Sequence, residues 1–423
     1  MSHEHSSTKG DPTAAGLSPK LTFQQKYIAQ SLATDYRPDA NTVMGPNSAE
    51  FQLALLGCGT VGRSFREIIQ ALGVEAENAA QFVATPYFHN LVAEHDALNR
   101  AGSTNGTYVR ESIGFITTQE TVSAFNEAVA ALGGVIVNSA NSNSMTDDAN
   151  KWAAQATATP TTPSGLINPL LTKPLNPLSM FVTLTADAFD LLFASPFDPR
   201  KTREEKFMSA TNAEWTIDMM NKKFSDRDDA IYFRKKDNTQ GVVLPYGIMG
   251  QFSLRATEIP AEFALNASGL SKWYSSQVVS PVVKNSETVQ VYMPRARIEG
   301  ERDTKPTRNA LGIRGIYTTN EDFAGTLVNP ENIYISESRE TAIIKINEVR
   351  TEGAIVQRDV GCLRCCGGEV TPQIRLDTTY LIEVVVGIGL PSPGGRENIL
   401  MAAVVNNPGR LPAPAIKYYR PLP

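Results

Sequence analysis

The β-branched residues of this chain are unevenly spread, and their distribution decides the fold class before anything else does. Segments 288–298, 341–347, 374–386 and 398–406 carry Val, Ile and Thr at the density of buried strands. Shorter strand candidates at 214–220, 230–234, 241–244 and 252–255 are spaced by turns. The first half reads differently. Residues 21–32, 48–56, 63–72, 120–132 and 146–155 place apolar side chains at helical spacing, as Phe65, Ile68, Ile69 and Leu72 do in the third. Only 181–184 is a strand candidate there, and 158–163 is a Thr/Pro linker. Helices first and strands after, without sustained alternation, predict an α+β fold rather than a doubly wound sheet.

The chain has 423 residues, 42% hydrophobic and 20% charged, enough to bury a sizeable core. Its net charge of −5 is mixed in sign along the sequence, so neither nucleic acid nor an anionic membrane is an expected partner. The most apolar run, Met180 to Ala194, is interrupted by Asp187 and Asp190 and is not a bilayer span. Residues 1–20 are rich in Ser, Thr, Gly, Pro and His and read as a disordered tail without a secretory signal. Cys58 stands apart from Cys362, Cys365 and Cys366, which is no disulfide framework and suits a reducing compartment. The expectation is cytoplasmic for a full-length chain and extracellular for a mature form. In the extracellular case the sequons at Asn105 and Asn266 would matter.

Residues 51–62 include Gly57-Cys-Gly59-Thr-Val-Gly62, which looks like a dinucleotide fingerprint and would suggest an NAD(P)-dependent dehydrogenase. The context argues against it. Ser48 reads as an N-cap or first-turn residue of a helix, and the glycines as that helix's stop. Cys362-Leu-Arg-Cys365-Cys366 is half of a zinc pattern with no second half. No HExxH, GxSxG or Ser/His/Asp grouping is present. Neither a cofactor nor a metal is expected, and no catalytic centre.

Several segments, in order, resemble the serpin family. They are Val43-Met-Gly-Pro46-Asn-Ser48 before an apolar helix, Asn150-Lys151-Trp152, Pro196-Phe-Asp-Pro199 with its charged continuation, and Met219-Met220. Val289-Gln-Val-Tyr-Met-Pro294, Glu321-Asp-Phe323, Asp377-Thr-Thr-Tyr380 and Asn398-Ile-Leu-Met continue the likeness to Pro408. The resemblance implies one domain over 21–408, with three β-sheets, eight or nine helices and an exposed reactive loop over 351–373. Residues 409–423 form a tail beyond it.

The resemblance also implies a function. A protease would attack the loop as substrate and form an acyl-enzyme, and the freed loop would then insert into the central sheet as a new strand. Counting from Glu348 places the reactive bond at Arg364–Cys365; counting back from Leu376 places it near Gly367 or Gly368. Arg364 suits a trypsin-like serine protease, with a cysteine protease as a second target class, and the inhibitor is expected to be monomeric. The hinge would be Arg350, Thr351, Glu352, Gly353 and Ala354, with Arg350 standing where the family has glycine. Ser48 is retained in the sheet-opening region, whereas Thr185, Phe193 and Glu340 replace the family's Asn, Trp and His, and Gly45 its first Ser. Gln357 and Asp359 would turn inward on insertion, and a buried, unpartnered Asp359 would cost several kcal/mol. A non-inhibitory serpin acting as a binding or carrier scaffold is the alternative.

Overall fold

The computed structural model describes residues 21–101, 107–247, 251–286, 288–318, 322–330, 332–353, 371–387, 398–409 and 411–412. Helix α1 (Phe23–Asp35) starts at a capping box, in which Thr22 and Gln25 each bond the other's backbone amide. It is followed by β1 (Thr42–Met44), α2 (Pro46–Gly59), α3 (Gly62–Leu72), α4 (Ala79–Val83) and α5 (Pro86–Ala101). Next come β2 (Thr107–Thr117), α6 (Ser123–Ala131), β3 (Val135–Asn138), α7 (Ser142–Ala156) and β4 (Phe181–Leu192). The middle of the chain is β5 (Arg203–Met208), β6 (Glu214–Phe224), β7 (Ile231–Lys235), β8 (Gln240–Tyr246) and β9 (Phe252–Glu258), then α8 (Ala261–Ala264) and α9 (Ala267–Val279). The rest is β10 (Val282–Ser286), β11 (Val289–Pro294), β12 (Ala296–Asp303), α10 (Lys305–Ala310), β13 (Arg339–Ile346), β14 (Arg350–Gly353), β15 (Gln373–Arg375), β16 (Tyr380–Val386) and β17 (Ile399–Val405).

The strands form three sheets. One has seven strands in the order β1-β17-β16-β9-β8-β7-β10, and one has four, β15-β11-β6-β5. The six-stranded sheet β12-β13-β14-β4-β2-β3 corresponds to the central sheet that the resemblance implies. This is the expected α+β architecture of three sheets, with ten helices among the described residues, of which α4 and α8 are barely one turn.

Several sequence expectations are corrected in detail. The strand read at 181–184 runs on to Leu192, because Asp187 and Asp190 have partners inside the fold. Strand β2 was not foreseen; its Glu111 breaks the apolar pattern yet is buried. Segment 288–298 divides at Arg295 between two sheets, and 374–386 divides into β15 and β16 for the same reason. Gly57 and Gly59 lie inside α2, so a helix, and not the strand that a dinucleotide site requires, leads into the glycines. Gly59 instead permits close packing: a Cβ there would lie 2.2 Å from Thr326 Oγ1. Cys58 is buried, and burial pushes its thiol pKa up, which keeps it inert.

Candidate functional site

Strand β13 ends in a tight reversal. Asn347 Oδ1 accepts from the amides of Val349 (2.9 Å) and Arg350 (3.1 Å), while the Asn347 amide donates to the Arg350 carbonyl. The chain then re-enters the sheet as β14, antiparallel to β13 on one side and to β4 on the other. Arg350, Thr351, Glu352 and Gly353, expected from the resemblance to form the hinge, are therefore a short strand within the central sheet.

Each hinge side chain meets a prepared surface. Thr351 has no exposed area and accepts from Tyr246 Oη at 2.5 Å. Gly353 faces Phe189 so closely that a Cβ would lie 2.4 Å from its ring. Arg350 and Glu352 point to the opposite face, as the period of two requires. Arg350 Nη1 donates to both Asp190 oxygens, at 2.7 and 2.8 Å. Burial pushes the Asp190 carboxyl up against the pull of Arg350 and the Thr161 hydroxyl. Lys345 Nζ donates to Glu352 Oε2 at 2.9 Å, and the hydroxyls of Thr159, Thr161 and Thr162 each lie 2.6 Å from Oε1. The Thr/Pro segment read as a linker is thus a lid over the hinge. Its threonines were visible in the sequence, but their partner lies some 190 residues away.

Burial alone would raise the Glu352 carboxyl, but the hydroxyls and Lys345 outweigh it and hold it down to about 2. Because the folded value lies below the ordinary one, the stabilisation is full above about pH 4.5 and is lost as pH falls towards about 2. The stability gap between wild type and Glu352→Gln, measured by denaturant titration, is expected to be full at pH 6 and smaller at pH 3. A gap unchanged between the two pH values would contradict this.

Above the hinge, the reversal is fixed by a second buried pair. Glu348 has no exposure and accepts from Arg295 Nη2 at 2.5 Å, Arg295 Nε at 3.2 Å and Thr202 Oγ1 at 2.6 Å. Phe193 sits here, its amide bonded to the Val349 carbonyl and its ring stacked on Tyr246 with centroids 5.0 Å apart.

Below Gly353, β4 and β13 share no ladder among the described residues and flank a cleft of about 110 Å³. Ser48, Thr185 and Glu340 all line it. The N-cap of α2 is Gly45, so Ser48 falls in the first turn, where its Oγ donates to Asp187 and its carbonyl accepts from Thr185 Oγ1 at 3.1 Å. Glu340 accepts from Tyr27 Oη at 2.9 Å and Arg302 Nε at 2.8 Å. Three of the four residues that the resemblance assigns to sheet opening therefore converge on one cleft, and Phe193 stands apart from it. Ala354, Cys362, Arg364, Cys365, Cys366, Gly367 and Gly368 lie outside the described residues.

A family model described as serpin (serine protease inhibitor) matches residues 22–384. This chain belongs to the serpin family. It is similar to human neuroserpin, 24% identical over 387 residues that cover 85% of this chain and 87% of that protein. It is 27% identical to serine protease inhibitor 42Dd of Drosophila melanogaster over 348 residues, covering 78% and 84%. Among solved structures, cleaved serpin 42Da superimposes with a TM-score of 0.71 at 17% identity, over 92% of this chain and 99% of that one. A thyroxine-binding globulin complex with thyroxine gives 0.67 at 18% identity and the same coverage. At such identities these two show the fold alone.

Proposed function

We propose that this serpin inhibits serine endopeptidases of trypsin-like preference as a suicide substrate, with Arg364–Cys365 as the bond attacked. The observation that carries the reading is the seated hinge. Its first four residues already pair on both edges within the central sheet, and the cleft continues beneath them. The charges of Arg350 and Glu352, which look unfit for a buried strand, are met by Asp190, Lys345 and the threonine lid. Curated relatives named as protease inhibitors support the same reading.

The chemistry belongs to the protease. Its serine oxygen adds to the Arg364 carbonyl, the Arg364–Cys365 bond breaks, and the new amino group of Cys365 leaves with a proton from the protease's general acid. What this chain supplies is a faster competing step. Strand pairing on both edges of the cleft moves the acyl-enzyme before water can reach it. A thiol nucleophile can attack the same carbonyl, which makes cysteine proteases the second class to test.

Incubation with trypsin is expected to give a covalent complex that survives detergent and heat, with a released fragment beginning at Cys365. Arg364→Ala should lose the complex with trypsin. A fragment beginning after Gly367 or Gly368 would move the bond. Clean cleavage without any complex would replace inhibition by a binding or carrier role; binding is what the name of thyroxine-binding globulin states for that protein.

A further inference from the structure

At the foot of the cleft lies a buried cation with no counter-ion among the described residues. Arg308, in α10, is 5% exposed. Its Nη2 donates to Gln52 Oε1 and its Nη1 lies 3.5 Å from Ser338 Oγ. Its Nε is enclosed without an acceptor, and so is the nearby Thr304 Oγ1. Among the described residues no carboxylate lies within ion-pair distance of it. Its neighbour Arg302, by contrast, is held by Asp35 at 2.6 Å and Glu340 at 2.8 Å. A guanidinium taken out of water with a donor unfilled is a costly arrangement unless an anion arrives to meet it. Arg308 lines the cleft, so an anion lying between β4 and β13 is within its reach.

The two ladders of β14 identify what arrives. On one edge Arg350 pairs with Leu192 and Gly353 with Phe189; on the other Thr351 pairs with Ile346 and Gly353 with Ile344. Were the strand carried on in the same register, both ladders would bring position 359 opposite Thr183 on β4 and Ser338 beside β13. Thr351 and Gly353 face the core, and the period of two turns position 359 the same way. That residue is Asp359. Ser338 Oγ is the contact of Arg308, and Thr183 Oγ1 accepts from Gln52 Nε2 at 3.3 Å. The carboxylate would therefore stand over the Arg308–Gln52 pair.

We propose that the foot of the cleft is a carboxylate-binding site centred on Arg308 and rimmed by Gln52, Thr183 and Ser338, and that its ligand is the Asp359 side chain once the loop lies in the sheet as a full strand. The proposal rests on the inserting-loop reading above. It reverses the sense of Asp359: the residue least suited to burial is the one for which the sheet holds a partner. Because the pair forms only in the inserted state, it stabilises that state and not the intact one, and so favours insertion.

The test uses the full chain, nicked beyond position 359 by a glutamate-specific protease at Glu369, with the cut located by mass. Guanidinium midpoints are compared for intact and nicked wild type, Asp359→Asn, Arg308→Gln and the double variant. Nicking is expected to raise the wild-type midpoint. Asp359→Asn should forfeit roughly 0.5 M of that rise while leaving the intact midpoint in place. Arg308→Gln should forfeit a similar part, and the double variant no more than either. If Arg308→Gln does not fold, Asp359→Asn decides alone. A wild-type rise that Asp359→Asn leaves unchanged or enlarges overturns the pairing and spares the inserting loop. The absence of any rise in wild type overturns both.

Discussion

Arg295→Ala is expected to lower stability by about 3–5 kcal/mol, the cost of leaving a buried charge unpaired. Glu348 is wholly enclosed, and without Arg295 its remaining side-chain contact among the described residues is the Thr202 hydroxyl. Arg295 also reaches Asp218 at 3.1 Å and the Leu411 carbonyl at 3.4 Å, so one guanidinium ties together the start of β12, strand β6 and the turn before the hinge. Removing both charges, as in Arg295→Met with Glu348→Leu, is expected to cost far less than the two single losses added together, because an apolar pair of similar volume carries no desolvation penalty. A double-mutant cycle in guanidinium measures this. A loss below about 1 kcal/mol for Arg295→Ala would show that Glu348 finds other donors.

The same pair shows what sequence reasoning can and cannot reach. Segment 288–298 was legible as strand because its β-branched density is a local property. That it changes sheet at Arg295 was not, since the partner that fixes the change lies 53 residues on. Strand β4 was read as ending at 184 for a related reason. Asp187 and Asp190 interrupt its apolar pattern, and nothing local reveals that Ser48 and Arg350 will meet them. Glu111 hid β2 in the same way: it is buried opposite Asp187 in the β2–β4 ladder, and burial together with Asp187 pushes its carboxyl well up. Family likeness supplied the order of segments. It could not supply the threonine lid, because Thr159, Thr161 and Thr162 are informative only once Glu352 is beneath them. The helices read at 21–32, 48–56, 63–72, 120–132 and 146–155 all form, with ends displaced by up to four residues where caps such as Gly45 and Asn141 gave weak or misread signals, whereas α4, α5, α8, α9 and α10 carried no helical reading.

On the inhibitory mechanism proposed above, Thr351→Arg is expected to convert trapping into ordinary cleavage. Thr351 is the first hinge residue facing the core, enclosed by Tyr246, whose hydroxyl it accepts and whose ring is stacked on Phe193. No carboxylate faces this position among the described contacts of Thr351, so an arginine there would bring an unpaired charge and three extra methylenes into a closed aromatic pocket. The cost is several kcal/mol, and it falls on the seated strand alone. The loop would then remain outside the sheet while still offering Arg364 to the protease. Since each 1.4 kcal/mol is a factor of about ten between competing rates, the balance between trapping and hydrolysis should move by about two orders of magnitude. Densitometry of complex against cleaved chain, over a range of trypsin ratios, reads that balance directly. Thr351→Ser keeps the hydroxyl and the volume nearly intact and should behave as wild type. Complex formed by Thr351→Arg at the wild-type yield would mean that the seated position of β14 plays no part in trapping, and the strand between β13 and β4 would then be a structural plug.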